Sequence, residues 1–230
     1  MTNSELPSEF DAYAEDYEAN HRASVSASGE PTVYFADHKV ACLQRLGVKS
    51  SDRILDYGCG IGNLTERLVT QFSDVHGFDP STKSLDIAKK RAPSAVFHHD
   101  ADSVPNDSFQ CAVISGVLHH VKPSARVELL ERAREKLAPG GRVFIFEHNP
   151  INPLTRRAVA DCPFDHDAIL LWPWQARRVT EQAGFEPVKL EYVVFFPRAL
   201  AFLRRFEPNL SWLALGAQTM TIGQKPAVPA

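Results

Sequence analysis

Short apolar runs alternate with longer amphipathic stretches over residues 53–148. "RILDY" (53–57), "DVHGF" (74–78), "AVFHH" (95–99), "CAVIS" (111–115) and "RVFIFEH" (142–148) are brief and often β-branched or aromatic. They read as strands. "NLTERLVTQF" (63–72), "TKSLDIAKKR" (82–91) and "PSARVELLERAREKL" (123–137) read as helices. The last has Pro123 at its start and Gly140–Gly141 just past its end, the expected asymmetry of helix termini. Strands separated by helices predict an α/β fold with a doubly wound, mostly parallel sheet. The connection from 95–99 to 111–115 carries no helical pattern.

Outside this core the pattern changes. Residues 4–28 are polar, with Phe10, Tyr13 and Tyr17 spaced three and four apart, so the three share one face of a helix. A second helix is expected over 32–47, stopping at Gly47. After the fifth core strand, residues 149–174 hold four prolines and two tryptophans and read as an inserted segment over the sheet. A helix near 174–183 then ends at Gly184. "EPVKLEYVVFF" (186–196) and "AQTMTIGQK" (217–225) predict a final antiparallel pair at a sheet edge, with a helical stretch between them. The expected organisation is one domain over 1–230: a helical N-terminal part (1–48), a core (53–148) and an acceptor-side part with the final strands (149–225).

Composition narrows the partners. The chain has 230 residues, 44% hydrophobic, and a net charge of −3, so nothing calls for nucleic acid. Four scattered cysteines form no CxxC pair, which fits reduced thiols in a cytoplasmic protein. The acidic N-terminus lacks an apolar signal region, and no apolar run is long enough for a membrane span.

The chemistry begins at "ILDYGCGIGNLT" (54–65). Three glycines alternate at 58, 60 and 62, straight after a strand ending in an acidic residue. Such a loop lets backbone N–H groups approach a ligand closely. Asp79, in "GFDPS" at the end of the second strand, can accept both hydroxyls of a ribose. Two cofactor classes compete. A dinucleotide loop is G-x-G-x-x-G, with the pyrophosphate on a helix N-terminus. Here the third glycine comes one position early, and Asp56 puts a negative charge two residues before the loop. That charge suits the ammonium or sulfonium of S-adenosylmethionine better than a pyrophosphate.

"ILDYGCGIGNLT", "GFDPS", "HHDADSVPNDSF", "SGVLHHV" and "LAPGGRVFIFEH", in this order over residues 54–148, resemble the class I S-adenosylmethionine-dependent methyltransferases. "FDAYAEDYEANH" (10–21) is similar to the N-terminal helix with which many small-molecule members close over the cofactor. The resemblance implies a Rossmann-like fold and assigns roles. Asp56, Gly58, Cys59 and Gly60 would line the methionine part. Asp79 would hold the ribose and Pro80 would pack on adenine. Asp100 would accept from the adenine amino group, beside the N–H of Ala101. Ser115 and Gly116 would form the floor, and Tyr13 and Tyr17 would be lid residues. His99 stands where members often have glycine, a departure on the adenine side.

Methyl transfer needs positioning, and a hydroxyl acceptor also gains from a base. His119 and His120 follow the 111–115 strand and His148 ends the 142–148 strand, all at the carboxyl rim. They are the candidate bases, which favours oxygen over nitrogen or carbon as acceptor. Arg156, Trp172, Trp174 and Phe195 are candidate acceptor contacts. The sequence shows no metal cluster, so a metal-independent reaction is expected. The competing readings are a cofactor-binding protein without transferase activity, a nucleic-acid methyltransferase and an NAD-dependent oxidoreductase.

Overall fold

A computed structural model describes residues 28–162 and 165–227. Its elements are α1 (Thr32–Arg45), β1 (Arg53–Tyr57), α2 (Asn63–Leu68), β2 (Asp74–Phe78), α3 (Thr82–Arg91), β3 (Val96–His98), β4 (Phe109–Ser115), α4 (Arg126–Lys136), β5 (Leu137–His148), α5 (Pro153–Ala160), α6 (Pro173–Gln182), β6 (Val188–Val193) and β7 (Gln218–Gln224). The lid expected around Phe10, Tyr13 and Tyr17 lies outside the described residues.

Seven strands form one sheet in the order β3-β2-β1-β4-β5-β7-β6. β1 to β5 run parallel, while β7 is antiparallel to both β5 and β6. Successive residues of each central strand serve opposite faces. Ile54, Val113 and Phe144 pack with Leu43 of α1 and Leu64 and Leu68 of α2. Leu55, Ala112 and Ile145 pack with Leu130 and Ala133 of α4 on the other side. Both faces are covered, so these strands read as continuous apolar runs. Each fully buried Leu, Ile or Phe contributes about 1.5–3 kcal/mol.

The chain steps from β1 outward to β2 and β3, then returns to β4 on β1's other side. The crevice at this reversal opens outside the carboxyl ends of β1 and β4, where open α/β sheets bind ligands.

Several boundaries differ from expectation. The 63–72 helix stops at Leu68, and a 3-10 turn (Ala101–Ser103) is the only helical element between β3 and β4. β5 starts at Leu137 because Leu137 already pairs with Phe109, with a register shift before Cys111 pairs with Arg142. β6 ends at Val193 because Val194 takes φ 62°, which breaks the extended run. The stretch 198–210 forms 3-10 turns, broken at Leu200 and holding Pro208. At this end of the sheet β6 is the edge strand, since β7 inserts between it and β5.

Candidate active site

The three glycines at the β1 end divide the work. All have positive φ: 84°, 51° and 82° for Gly58, Gly60 and Gly62. A Cβ at Gly62 would lie 2.9 Å from the Ala88 Cα, so this glycine lets α2 pack on α3. A Cβ at Gly60 would meet nothing within 4 Å. Gly60 therefore borders open space at the mouth of the loop. Its N–H donates to Asp79 Oδ2 at 2.8 Å, and Ser81 N–H donates to Asp79 Oδ1 at 2.9 Å. Asp79 is thus held at the tip of β2, beside the loop.

Asp56 lies beneath, 1% exposed, and accepts the Thr65 hydroxyl at 2.7 Å. Burial raises its carboxyl from 3.8 to about 7, partly offset by that hydroxyl. A carboxyl so placed gains its charge most readily beside a ligand cation. The Cys59 side chain is buried and turned to Gly77, so only its backbone is available to a ligand. Ser115 and Gly116 close the β4 side, and Gly116 N–H donates to Phe146 O. Pro80 is exposed and Ala101 half-buried beyond the β2 and β3 ends. Asp100 is exposed, and its carboxylate caps the 3-10 turn by accepting from Asp102 N–H. The open cradle at Gly60, the Asp79 carboxylate at the tip of β2 and the buried acid Asp56 fit S-adenosylmethionine.

Lys39 of α1 was not singled out from the sequence. It is 7% exposed, with its ammonium 5.7 Å from the Phe146 ring centroid. Burial lowers it to about 8, while Asp56 and Glu147 act in the opposite direction. The signal was present: Lys39 shares the buried face of its helix with Ala36, Val40 and Leu43.

All three candidate histidines converge. His119 and His120 lie in a 3-10 turn (Leu118–His120) just past β4, and His148 ends β5. His119 Nδ1 lies 2.5 Å from Glu147 Oε2, and Glu147 Oε1 accepts the N–H groups of Val117 and Leu118. Asp165 faces the group from the segment after α5. Its oxygens lie 3.3 Å from His119 Nε2, 3.5 Å from His120 Nε2 and 3.8 Å from His148 Nε2. Burial opposes a charge on His119, but Glu147 and Asp165 outweigh it and raise it to about 9. Burial and the neighbouring His119 lower His120 and His148 to about 4. Against its own burial, Asp165 falls to about 2 through the three imidazoles.

The sequence did not reveal Glu147 or Asp165 as members of this cluster. Asp165 arrives through tertiary contacts: Ile169 N–H donates to His119 O, and Arg126 donates to Val121 O and Ile169 O. Asn149, fully buried, fixes the turn after His148 by donating to Ala214 O and Gly216 O. His166, next to Asp165, is exposed and paired with Asp167.

The acceptor candidates are less united. Trp172 and Trp174 stack on each other with centroids 4.9 Å apart, at 40% and 61% exposure. Arg156 is exposed on α5. Phe195 lines a separate cavity of about 180 Å³ with Tyr34, His38, Arg204 and Glu207. The structure brings none of these four into the histidine cluster.

The family model described as a methyltransferase domain matches residues 34–190. An uncharacterised methyltransferase of Oceanobacillus iheyensis is 29% identical over 142 residues, 59% of this chain and 65% of that protein. Trans-aconitate 2-methyltransferase of Methylobacterium nodulans is 30% identical over 146 residues, 56% of this chain and 54% of the relative. The chain thus spans less than two thirds of both relatives. A Haemonchus contortus phosphoethanolamine N-methyltransferase, solved with phosphomonomethylethanolamine and S-adenosylhomocysteine, superposes with a TM-score of 0.58 at 21% identity, over 83% of this chain and 52% of that one. With the match over most of the core, the strand order and the glycine loop in agreement, the chain belongs to the class I S-adenosylmethionine-dependent methyltransferase family.

Proposed function

We propose that this chain, as a single domain in the cytoplasm, methylates a small molecule, at oxygen in preference to nitrogen or carbon. The observation that supports it most is the adjacency of two sites at one sheet rim: the glycine loop and Asp79 beyond β1 and β2, and the imidazole–carboxylate cluster beyond β4 and β5. The relative at 30% identity acts on trans-aconitate, an oxygen-rich acid. All four cysteines are buried thiols, which suits a reducing compartment.

S-adenosylmethionine, when bound, supplies a methyl group on an electrophilic sulfonium. Asp79 would hold the ribose hydroxyls, and Asp56 would balance positive charge below the loop. The open face at Gly60 would leave room for the methionine part. The acceptor oxygen would lie against His119, His120, His148 and Asp165, which would orient it, with His148 as the base that accepts its proton.

Calorimetric titration tests the donor side. Micromolar binding of S-adenosylmethionine and S-adenosylhomocysteine, with none of NAD, is expected. Asp79→Ala should weaken binding about ten- to a hundredfold through loss of the buried acceptor. Unchanged affinity in that variant would count against the assignment. Label transfer from methyl-labelled donor to a panel of carboxylate, hydroxyl and amine acceptors tests the rest. Labelling of amines alone would overturn the oxygen preference.

A further inference from the structure

The geometry points to a zinc-class divalent metal site formed by His119 Nε2, His120 Nε2 and the Asp165 carboxylate, with His148 at its edge. Ligand atoms of His119, His120 and Asp165 all lie within 4.8 Å of one another. The three nitrogen–carboxylate distances are 3.3, 3.5 and 3.8 Å. Each is longer than the roughly 2.7–3.2 Å of an N–H···O hydrogen bond. The His119 and His120 distances come close to a different figure, and the His148 distance lies beyond it. Four donors at about 2.0–2.1 Å from one tetrahedral ion stand about 3.3–3.4 Å apart.

Orientation agrees with spacing. The His119 ring is tilted 51° from His120 and 48° from His148, so the three rings converge without stacking flat. Glu147 holds His119 Nδ1 at 2.5 Å and is itself fixed by two backbone N–H groups. A carboxylate on the far nitrogen is the usual outer support of a metal-bound imidazole, fixing its tautomer and aim. Two imidazoles and one carboxylate favour zinc over magnesium or calcium, which prefer all-oxygen shells.

The donors come from two places: the turn after β4 and the segment after α5. A metal there would staple that segment over the sheet rim. Its fourth position would also take an acceptor oxygen. This second role rests on the oxygen-acceptor reading, whereas the site itself does not.

The test uses the full chain with any affinity tag removed. It is stripped with a chelator, reloaded with zinc sulfate and desalted. Metal analysis should find about one zinc per chain, and zinc at a hundredfold excess over its dissociation constant should raise Tm by several degrees. Cobalt(II) loading should give tetrahedral visible bands without a thiolate charge-transfer band. Asp165→Asn and His120→Asn should lose zinc on desalting, while the exposed neighbour variant His166→Asn keeps it. Glu147→Gln should weaken zinc about ten- to a hundredfold. No zinc in the wild-type chain, a thiolate band, or full retention in both ligand variants would each overturn the site. If a variant fails to fold, the wild-type stoichiometry and cobalt spectrum still decide. Metal content is read without turnover, so its failure and that of the proposed activity are separable.

Discussion

Asp56 shows how one buried group links ligand charge to pH. Its carboxyl ordinarily titrates at 3.8 and stands at about 7 in the fold. The fold therefore favours its neutral form. That contribution to stability is complete below about pH 4 and is lost as pH rises through 7. A bound cation reverses the preference and draws out the proton. S-adenosylmethionine affinity should then climb with pH, by up to about tenfold per unit, and level off near 7. Calorimetry at pH 6 in two buffers of different ionisation enthalpy reads the released proton directly, and equal heats in both buffers would refute the link. Gly60→Ala should cost only about 1–2 kcal/mol of stability, because its Cβ meets open space and only the left-handed φ is strained. Its effect should fall on cofactor affinity, read in the same titration. The placement of Gly60 and Asp79 was readable from residue type and order, since both sit at the ends of strands that the sequence marks. Asp165 was not, because an aspartate in a polar stretch gains meaning only when Arg126 and Ile169 dock its segment on His119.

At the scale of elements, Gly62 is a packing residue. Any side chain there drives α2 from α3, whose Ala88 backbone cannot yield cheaply. Gly62→Ala should lower the unfolding free energy by about 2–4 kcal/mol, more than Gly60→Ala, in urea titrations. A smaller loss at 62 than at 60 would contradict this division of labour. The central strands and their helices were legible because parallel strands covered on both faces give unmistakable apolar runs. The 3-10 turns at 101–103 and 198–210 were not, since short turns carry no period of their own. Strand ends also escaped notice: the positive φ of Val194 violates its own β preference, so tertiary contacts set it.

For the whole molecule, acid sensitivity should trace to imidazoles buried as neutral rings. His38 is lowered from 6.5 to about 4, first by burial and then by Lys39, and its Nε2 has no hydrogen-bond partner. A depressed base stabilises the fold above its ordinary value, and that stability is lost as pH falls from 6.5 toward 4. The full span is worth about 3 kcal/mol, against which the raised Asp56 works in the opposite direction. His38→Leu should therefore flatten the fall in Tm between pH 7 and pH 5 while changing Tm at pH 7.5 far less. An unchanged slope would exonerate this residue.

The placement of β7 between β5 and β6 bears on the order in which the molecule can be completed. Seven of its residues pair with β5 from Arg142 to His148, and Ala217 just before it receives the N–H of Asn149. A nascent chain that has not yet released residues 217–224 has no partner for that side of β5. Its turn after His148 would lack the anchors that hold it. Synthesis must therefore run past residue 224 before the rim bearing His148 can close, and a ribosome stalled earlier would carry the glycine loop without a finished acceptor side.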